Sequence, residues 1–262
     1  ARSSWGSASA VAVAMSNHGA RSITSNGSIN LKPIWHPGGT DLSFTSYREG
    51  NTDLYVARLA AGRIRRVSAR MGINIGCTWK PDGTVMALTL APDGNPDIYL
   101  IDPTNGRQKR RLTKSAGIDV SPSWSPSGDR IVFVSERSGG AQIYTMKPDG
   151  SDIQRVTFQG GFNTDPVWSP DGSQIAFVGR NGGRFDVFVV NVDGTGMRRI
   201  TQDMGDNEDP SWSPDGNFIA FSSTRTGSSH IWIATADGHH QAQVTRGRGG
   251  FLNPNWSPSL EW

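Results

Sequence analysis

The sequence predicts an all-β fold, a six-bladed β-propeller closed by strands from both chain ends. Three observations lead there. A short phrase centred on tryptophan recurs six times, at Trp35, Trp79, Trp124, Trp168, Trp212 and Trp256, in steps of 44, 45, 44, 44 and 44 residues. Periods of about 40–45 residues built from short strands mark propellers, one blade per repeat. No segment places apolar residues at i, i+3, i+4 and i+7 over a helix length. Finally, the two chain ends are out of phase and complementary.

In chain order, Ala10–Ala14 matches the third strand of a repeat (c) and Arg21–Thr24 the fourth (d). The third full repeat shows the plan best. Pro122–Ser125 is strand a, and Pro126–Asp129 is a turn in which proline presets φ and glycine supplies φ > 0. Ile131–Val134 is strand b, Gln142–Met146 strand c, Pro148–Ser151 a hairpin turn and Gln154–Thr157 strand d. Strands b and c are almost continuously apolar, as in Ile175–Phe177 and Val187–Val189. Burial on both faces between neighbouring blades explains that. Each strand-a tryptophan is expected to be buried, contributing roughly 4–6 kcal/mol gross.

At the far end, Asn253–Pro258 reads as a strand a with almost nothing after it. Joined to the N-terminal c and d, it is expected to complete the sixth blade. No segment matches strand b of that blade. We therefore expect that an N-terminal strand, and a whole domain before it, lie outside residues 1–262, which form a single propeller domain.

Composition agrees: 35% hydrophobic and 19% charged residues, with 32 glycines and 15 prolines falling at repeat positions. No run of about 18 apolar residues offers a membrane span. Net charge is only +3. Strand d carries Arg65–Arg66, Arg110–Arg111, Arg155 and Arg198–Arg199, where cations on an outer edge oppose edge-to-edge aggregation. Spread around the rim, they do not predict a nucleic-acid stripe. The one cysteine, Cys77, stands where the other repeats have proline and reads as an inert core thiol.

Chemistry is scarce. There is no Gly-x-Ser-x-Gly elbow and no Gly-x-x-x-x-Gly-Lys loop. The histidines, His18, His36, His230, His239 and His240, fall on different blades or faces. Asp82, Asp149, Asp171, Asp193, Asp215 and Asp237 precede glycine in turns, and turn formation explains them better than acid–base work. One polar pattern is not a turn pattern. Five before tryptophan stand Asn30, Asn74, Asp119, Asn163 and Asn207; three before stand Lys32, Gly76, Ser121, Asp165, Asp209 and Asn253. These d–a loops should ring one channel mouth. Two readings stay open: side chains that hold loop backbone, and a polar socket for a protein partner. The carboxylates are also of the type that holds a hard cation such as Ca²⁺.

The repeat Pro-x-Trp-Ser-Pro-Asp-Gly followed by an Ile-Ala-Phe strand, fullest at Pro166–Gly172 with Ile175–Phe177, resembles that of the TolB-type propeller family. The resemblance covers essentially the whole chain. Related propellers also occur in sugar lyases and in front of serine peptidases, so a propeller enzyme or a gating propeller remains the alternative. The resemblance implies a non-catalytic, periplasmic, monomeric protein of the Tol–Pal envelope system, with no nucleic-acid partner, and makes the domain expected before residue 1 a small α/β one. Its propeller would bind the peptidoglycan-associated lipoprotein Pal. Matching the family's Pal-sensitive loops to this chain points to Ile73 and Gly76 before Trp79, and Val120 before Trp124. With the ring positions, the expected partner-binding set is Asn30, Ile73, Asn74, Gly76, Asp119, Val120, Asn163, Asp165, Asn207 and Asp209.

Overall fold

A computed structural model describes residues 11–12, 21–24, 28–70, 72–202 and 205–258. A two-stranded pair comes first: β1 (Val11–Ala12) and β2 (Arg21–Ser22), antiparallel, with Val11 opposite Ser22. Five four-stranded antiparallel sheets follow. Blade one is β3 (Asn30–Trp35), β4 (Asp41–Ser46), β5 (Asp53–Arg58) and β6 (Arg63–Ser68). Blade two is β7 (Asn74–Trp79), β8 (Met86–Leu90), β9 (Asp97–Ile101) and β10 (Gln108–Arg111). Blade three is β11 (Asp119–Trp124), β12 (Ile131–Ser135), β13 (Gln142–Met146) and β14 (Gln154–Arg155). Blade four is β15 (Asn163–Trp168), β16 (Gln174–Asn181), β17 (Arg184–Asn191) and β18 (Arg198–Arg199). Blade five is β19 (Asn207–Trp212), β20 (Phe218–Ser223), β21 (His230–Thr235) and β22 (Gln241–Gln243).

The all-β propeller stands, but with five blades rather than the expected six. Asn253–Pro258 is not a strand, and among the described residues it does not pair with the N-terminal β1–β2 hairpin. The reason lies in the blade plan. Every strand a of the five sheets finds its ladder partner in its own strand b, and no described segment serves as b for this one. Its contacts are instead side-chain bonds to both neighbours. Asn253 Oδ1 accepts from Lys32 N (3.2 Å) and Asn255 Oδ1 from Trp35 N (3.1 Å), both on blade one. Trp256 Nε1 donates to Ser211 O (3.1 Å) on blade five. The segment thus bridges the first and last blades without forming one. The rest of the expected hairpin, Ala10 and residues 13–20, lies outside the described residues.

The core sits between blades. Trp79, Trp124, Trp168 and Trp212 are buried, whereas Trp35 and Trp256, beside the seam, are only half-buried. Strand-b phenylalanines Phe44, Phe133, Phe177 and Phe221 are fully buried. Cys77 is buried too, its Sγ 3.3 Å from Ser43 Oγ, and burial pushes the thiol's pKa up to about 12. Glycine is required where the c–d turns of blades two to five meet the preceding outer strand. A Cβ on Gly150 would lie 2.6 Å from Leu112 O, and one on Gly194 2.8 Å from Val156 O, both at positive φ.

Candidate functional site at the channel mouth

Every strand a breaks its ladder at the same place. The register with strand b shifts between Leu31 and Ile34, Ile75 and Thr78, Val120 and Ser123, Thr164 and Val167, and Glu208 and Ser211. The residue in each bulge is left-handed: Lys32 (φ 48°), Gly76 (63°), Ser121 (52°), Asp165 (48°) and Asp209 (55°), with Asn253 (52°) matching them in the bridging segment. Non-glycine residues rarely adopt this conformation, and bulges re-aim side chains. The repeat therefore builds a collar of polar side chains. Lys32, Gly76, Ser121 and Asp165 line one cavity of about 80 Å³.

The collar is acidic around a single ammonium. Lys32 of blade one forms an ion pair with Asp165 of blade four, so it spans the channel. Ser121 Oγ also donates to Asp165 Oδ1 (3.3 Å). Asp209 Oδ2 accepts from Ser222 Oγ (2.9 Å) and from Asn253 N (3.3 Å). Burial lowers the pKa of Lys32, but Asp165, Asp209 and Glu208 outweigh it and hold the ammonium above its ordinary value. Glu208 goes the other way for a carboxyl. Burial, then Asp209, Asp206 and Asp165, raise its pKa to about 7, although Lys32 opposes them. The collar at neutral pH thus holds part of its charge back.

The five residues one turn earlier do different work. Asn30, Asn74, Asp119, Asn163 and Asn207 are buried beneath the rim. Asn74 accepts from Ser68 Oγ (2.9 Å) and donates to Arg70 O (2.7 Å). Asn163 donates to Gln142 Oε1 (3.0 Å) and Gln159 O (2.8 Å), and Asn207 to Asp186 Oδ1 (3.2 Å). Asn30 donates to Thr24 Oγ1 (3.1 Å). Each amide ties its strand a back to the preceding blade or turn. Asp119 has no N–H to give and instead accepts from Arg137 of its own blade at 3.2 Å. Three of the five, Asn30, Asn74 and Asn163, hold loop backbone through Ser28 O, Arg70 O and Gln159 O, whereas Asp119 and Asn207 bond to side chains.

Above them the rim is apolar, which the polar pattern did not foresee. Ile73, Ile118 and Phe162, each one residue before the buried Asn or Asp, stand about two-fifths exposed (38%, 38% and 39%). Val120 is half-buried and packs inward, against the cluster that holds Trp168 and Phe177. Their spacing of six before tryptophan was legible in the sequence; their exposure was not. Of the expected partner-binding set, then, Gly76, Asp165 and Asp209 belong to the collar and Ile73 to the rim around it, while Val120 packs against the core between blades three and four. The remaining five are buried. Among the described residues, no three histidine, cysteine or acidic side chains are grouped to hold a metal ion, and Lys32 already meets the carboxylates where a hard cation was expected. At the channel's other end, Trp79, Trp124, Trp168, Trp212 and Trp256 line a cavity of about 330 Å³. No helix among the described residues is long and apolar enough to cross a membrane.

The signature of the TolB beta propeller domain matches residues 10–260. The Tol-Pal system protein TolB of Bordetella pertussis is 40% identical over 122 residues, 47% of this chain and 28% of that protein. Its counterpart in Desulfosudis oleivorans is 51% identical over 41 residues, 16% of this chain and 9% of that one. Among solved structures, TolB from Acinetobacter baumannii superposes with a TM-score of 0.87 at 26% identity, covering 95% of this chain and 62% of that chain. A putative TolB from Agrobacterium tumefaciens gives 0.77 at 28% identity, covering 91% and 90%. An oligogalacturonate lyase in complex with manganese gives 0.61 at 14% identity, covering 91% and 72%, a likeness of fold alone. The matched stretches are under a third of the length of either curated relative.

Proposed function

The chain belongs to the TolB β-propeller family, and from that premise we propose that it is a non-catalytic, periplasmic binding module of a Tol–Pal system. Its partner is the lipoprotein Pal, docked on the d–a mouth. The observation that carries this reading is the layered mouth itself: an exposed apolar rim of Ile73, Ile118 and Phe162 around a recessed acidic collar of Asp165, Asp209 and Glu208. Protein interfaces favour that arrangement, with apolar anchors beside a few oriented polar groups. A partner loop with a cationic tip would compete with Lys32 for Asp165. The relatives named Tol-Pal system protein TolB support the same assignment. The lyase alternative needs converging metal-ligating histidines. Here His36 follows the first strand a, His230 opens β21 and His239 and His240 lie in the last c–d turn.

The test is binding of the Pal from the same organism to wild type, Gly76→Arg and Ile118→Asp. Gly76 is well suited because five equivalent positions carry side chains at the same positive φ, and its Cβ would meet nothing nearer than Ser121 Cα at 3.9 Å. Lys147→Glu, exposed in a c–d turn, is the control. Both mouth variants should weaken binding at least tenfold, about 1.4 kcal/mol. If both bind as tightly as wild type while melting normally, the partner uses another face.

A further inference from the structure

The outer rim is not evenly cationic, contrary to the uniform spread expected from the repeat. On blades four and five, strand d is short and its cations are occupied. Arg199 pairs with buried Asp186 (2.7 Å), Arg198 donates to Gln174 Oε1 and Ala236 O, and β22 carries glutamines. Blades one and two differ. Their inward arginines, Arg66 and Arg111, pair with buried Asp53 and Asp97 in the same way. Outside them, Arg63, Arg65, Arg107, Lys109 and Arg110 are all exposed and make no ion pair among the described residues. The two blades share one surface here. Arg65 crosses to blade two, donating to Thr104 O (3.0 Å) and to Pro103 O. The nearby carboxylates, Asp102 and Asp149, are already committed to their own turns, accepting from Thr104 and Ser151.

A second feature coincides with this charge. β6 has six residues, whereas the other outer strands have four, two, two and three. It pairs only with β5. The blade-two c–d turn packs against its end, where a Cβ on Gly106 would lie 1.7 Å from Val67 O, but among the described residues no backbone bond from another segment reaches the outer edge at Arg63–Arg66. A long, open edge is a template for another strand. Its arginines repel a second basic copy, and the same charges favour an acidic one.

We propose that the outer edge of β6 is a docking site for an acidic, extended polypeptide segment, which adds as a fifth strand to blade one while its carboxylates meet Arg63, Arg65, Lys109 and Arg110. Backbone bonds supply register-independent attraction, and the cations select acidic sequences. Arg is suited to this because its planar fork takes a carboxylate bidentately. A lipid surface or a nucleic acid would use the charge but leave the strand edge idle, so a polypeptide is the occupant that satisfies both features. This surface lies on the circumference, apart from the channel mouth, and stands or falls independently of Pal binding.

The experiment uses a fluorescein-labelled decapeptide of alternating glutamate and threonine, titrated with the full chain by anisotropy. A second peptide has proline in place of each threonine, keeping the charge and blocking strand pairing. We expect the first peptide to bind at least tenfold tighter than the second and to protect amides within residues 63–68 from hydrogen exchange. Lys109→Glu/Arg110→Glu, which touches no described ion pair, should weaken it about tenfold, two exposed pairs' worth. Arg63→Glu, one pair's worth, should weaken it about threefold, and Lys147→Glu should not weaken it. Equal binding of the proline peptide overturns the strand-addition model. So does binding only to phosphatidylglycerol vesicles or single-stranded DNA, which would reassign the patch to charge alone. No binding of any probe also overturns it.

Discussion

Replacing Trp168 with alanine tests the claim that the repeat's tryptophans hold the blades together. Trp168 is 9% exposed and packs with Val132, Val134, Ile143, Val156, Ile175 and Phe177, so it contacts blade three as well as its own. Its Nε1 donates to Ser123 O at 3.1 Å across the blade boundary. A buried indole of about 150–250 Å² at about 25 cal/mol/Å² contributes roughly 4–6 kcal/mol. That is an upper bound, since unfolded chains already bury part of this surface. The orphaned Ser123 carbonyl adds about 1 kcal/mol of cost. The net expectation is about 3–5 kcal/mol, as for other large-to-small core changes. Urea unfolding followed by far-UV circular dichroism measures it, with the slope m unchanged. Trp35→Ala, at the half-buried seam position, should cost clearly less. A loss below about 1 kcal/mol at Trp168, or equal losses at both sites, would refute inter-blade burial as the role of the repeat.

Deleting residues 253–262 removes the Asn253, Asn255 and Trp256 bonds that bridge blades one and five, so the melting temperature should fall by several degrees; an unchanged melt contradicts the bridge. Glu208, with its pKa raised from 4.5 to about 7, destabilises the fold as it ionises. Stability should therefore decline from about pH 4.5 to 7 through this group, and Glu208→Gln should regain about 1–2 kcal/mol above pH 7 and nothing below 4.5, checked by denaturant titrations at both ends. Gly150→Ala brings a Cβ to 2.6 Å from Leu112 O, whereas Gly94→Ala, at a similar φ of 87°, meets nothing within 4 Å. The first should cost about 2–4 kcal/mol and the second about 1; equal losses would mean that backbone strain alone decides.

Sequence alone determined the strands of the five complete blades, their turns and the propeller class, because these follow from local chemistry repeated at a fixed period. The predicted Gln142–Met146 coincides with β13, and the Asp-Gly turns close where Asp149 and Asp171 accept from the serines two residues on. It also marked the positions three and five before each tryptophan as special. Only the tertiary structure separated them. A single left-handed residue turns the former into the channel, while the latter are buried, the amides reaching back to the preceding blade or turn and Asp119 pairing with Arg137 of its own blade. Nothing in a residue's identity distinguishes a buried Asn207 from an inward-facing Asp209 two positions later; the bulge does. Tertiary structure also decided the blade count. A repeated phrase at Trp256 looks like a sixth blade in sequence, but a blade needs a strand b to complete its ladder, and that pairing is a property of several segments at once. The rim charge followed the same logic. Arg66 and Arg65 are adjacent and chemically identical, yet strand alternation sends one to buried Asp53 and leaves the other facing outward.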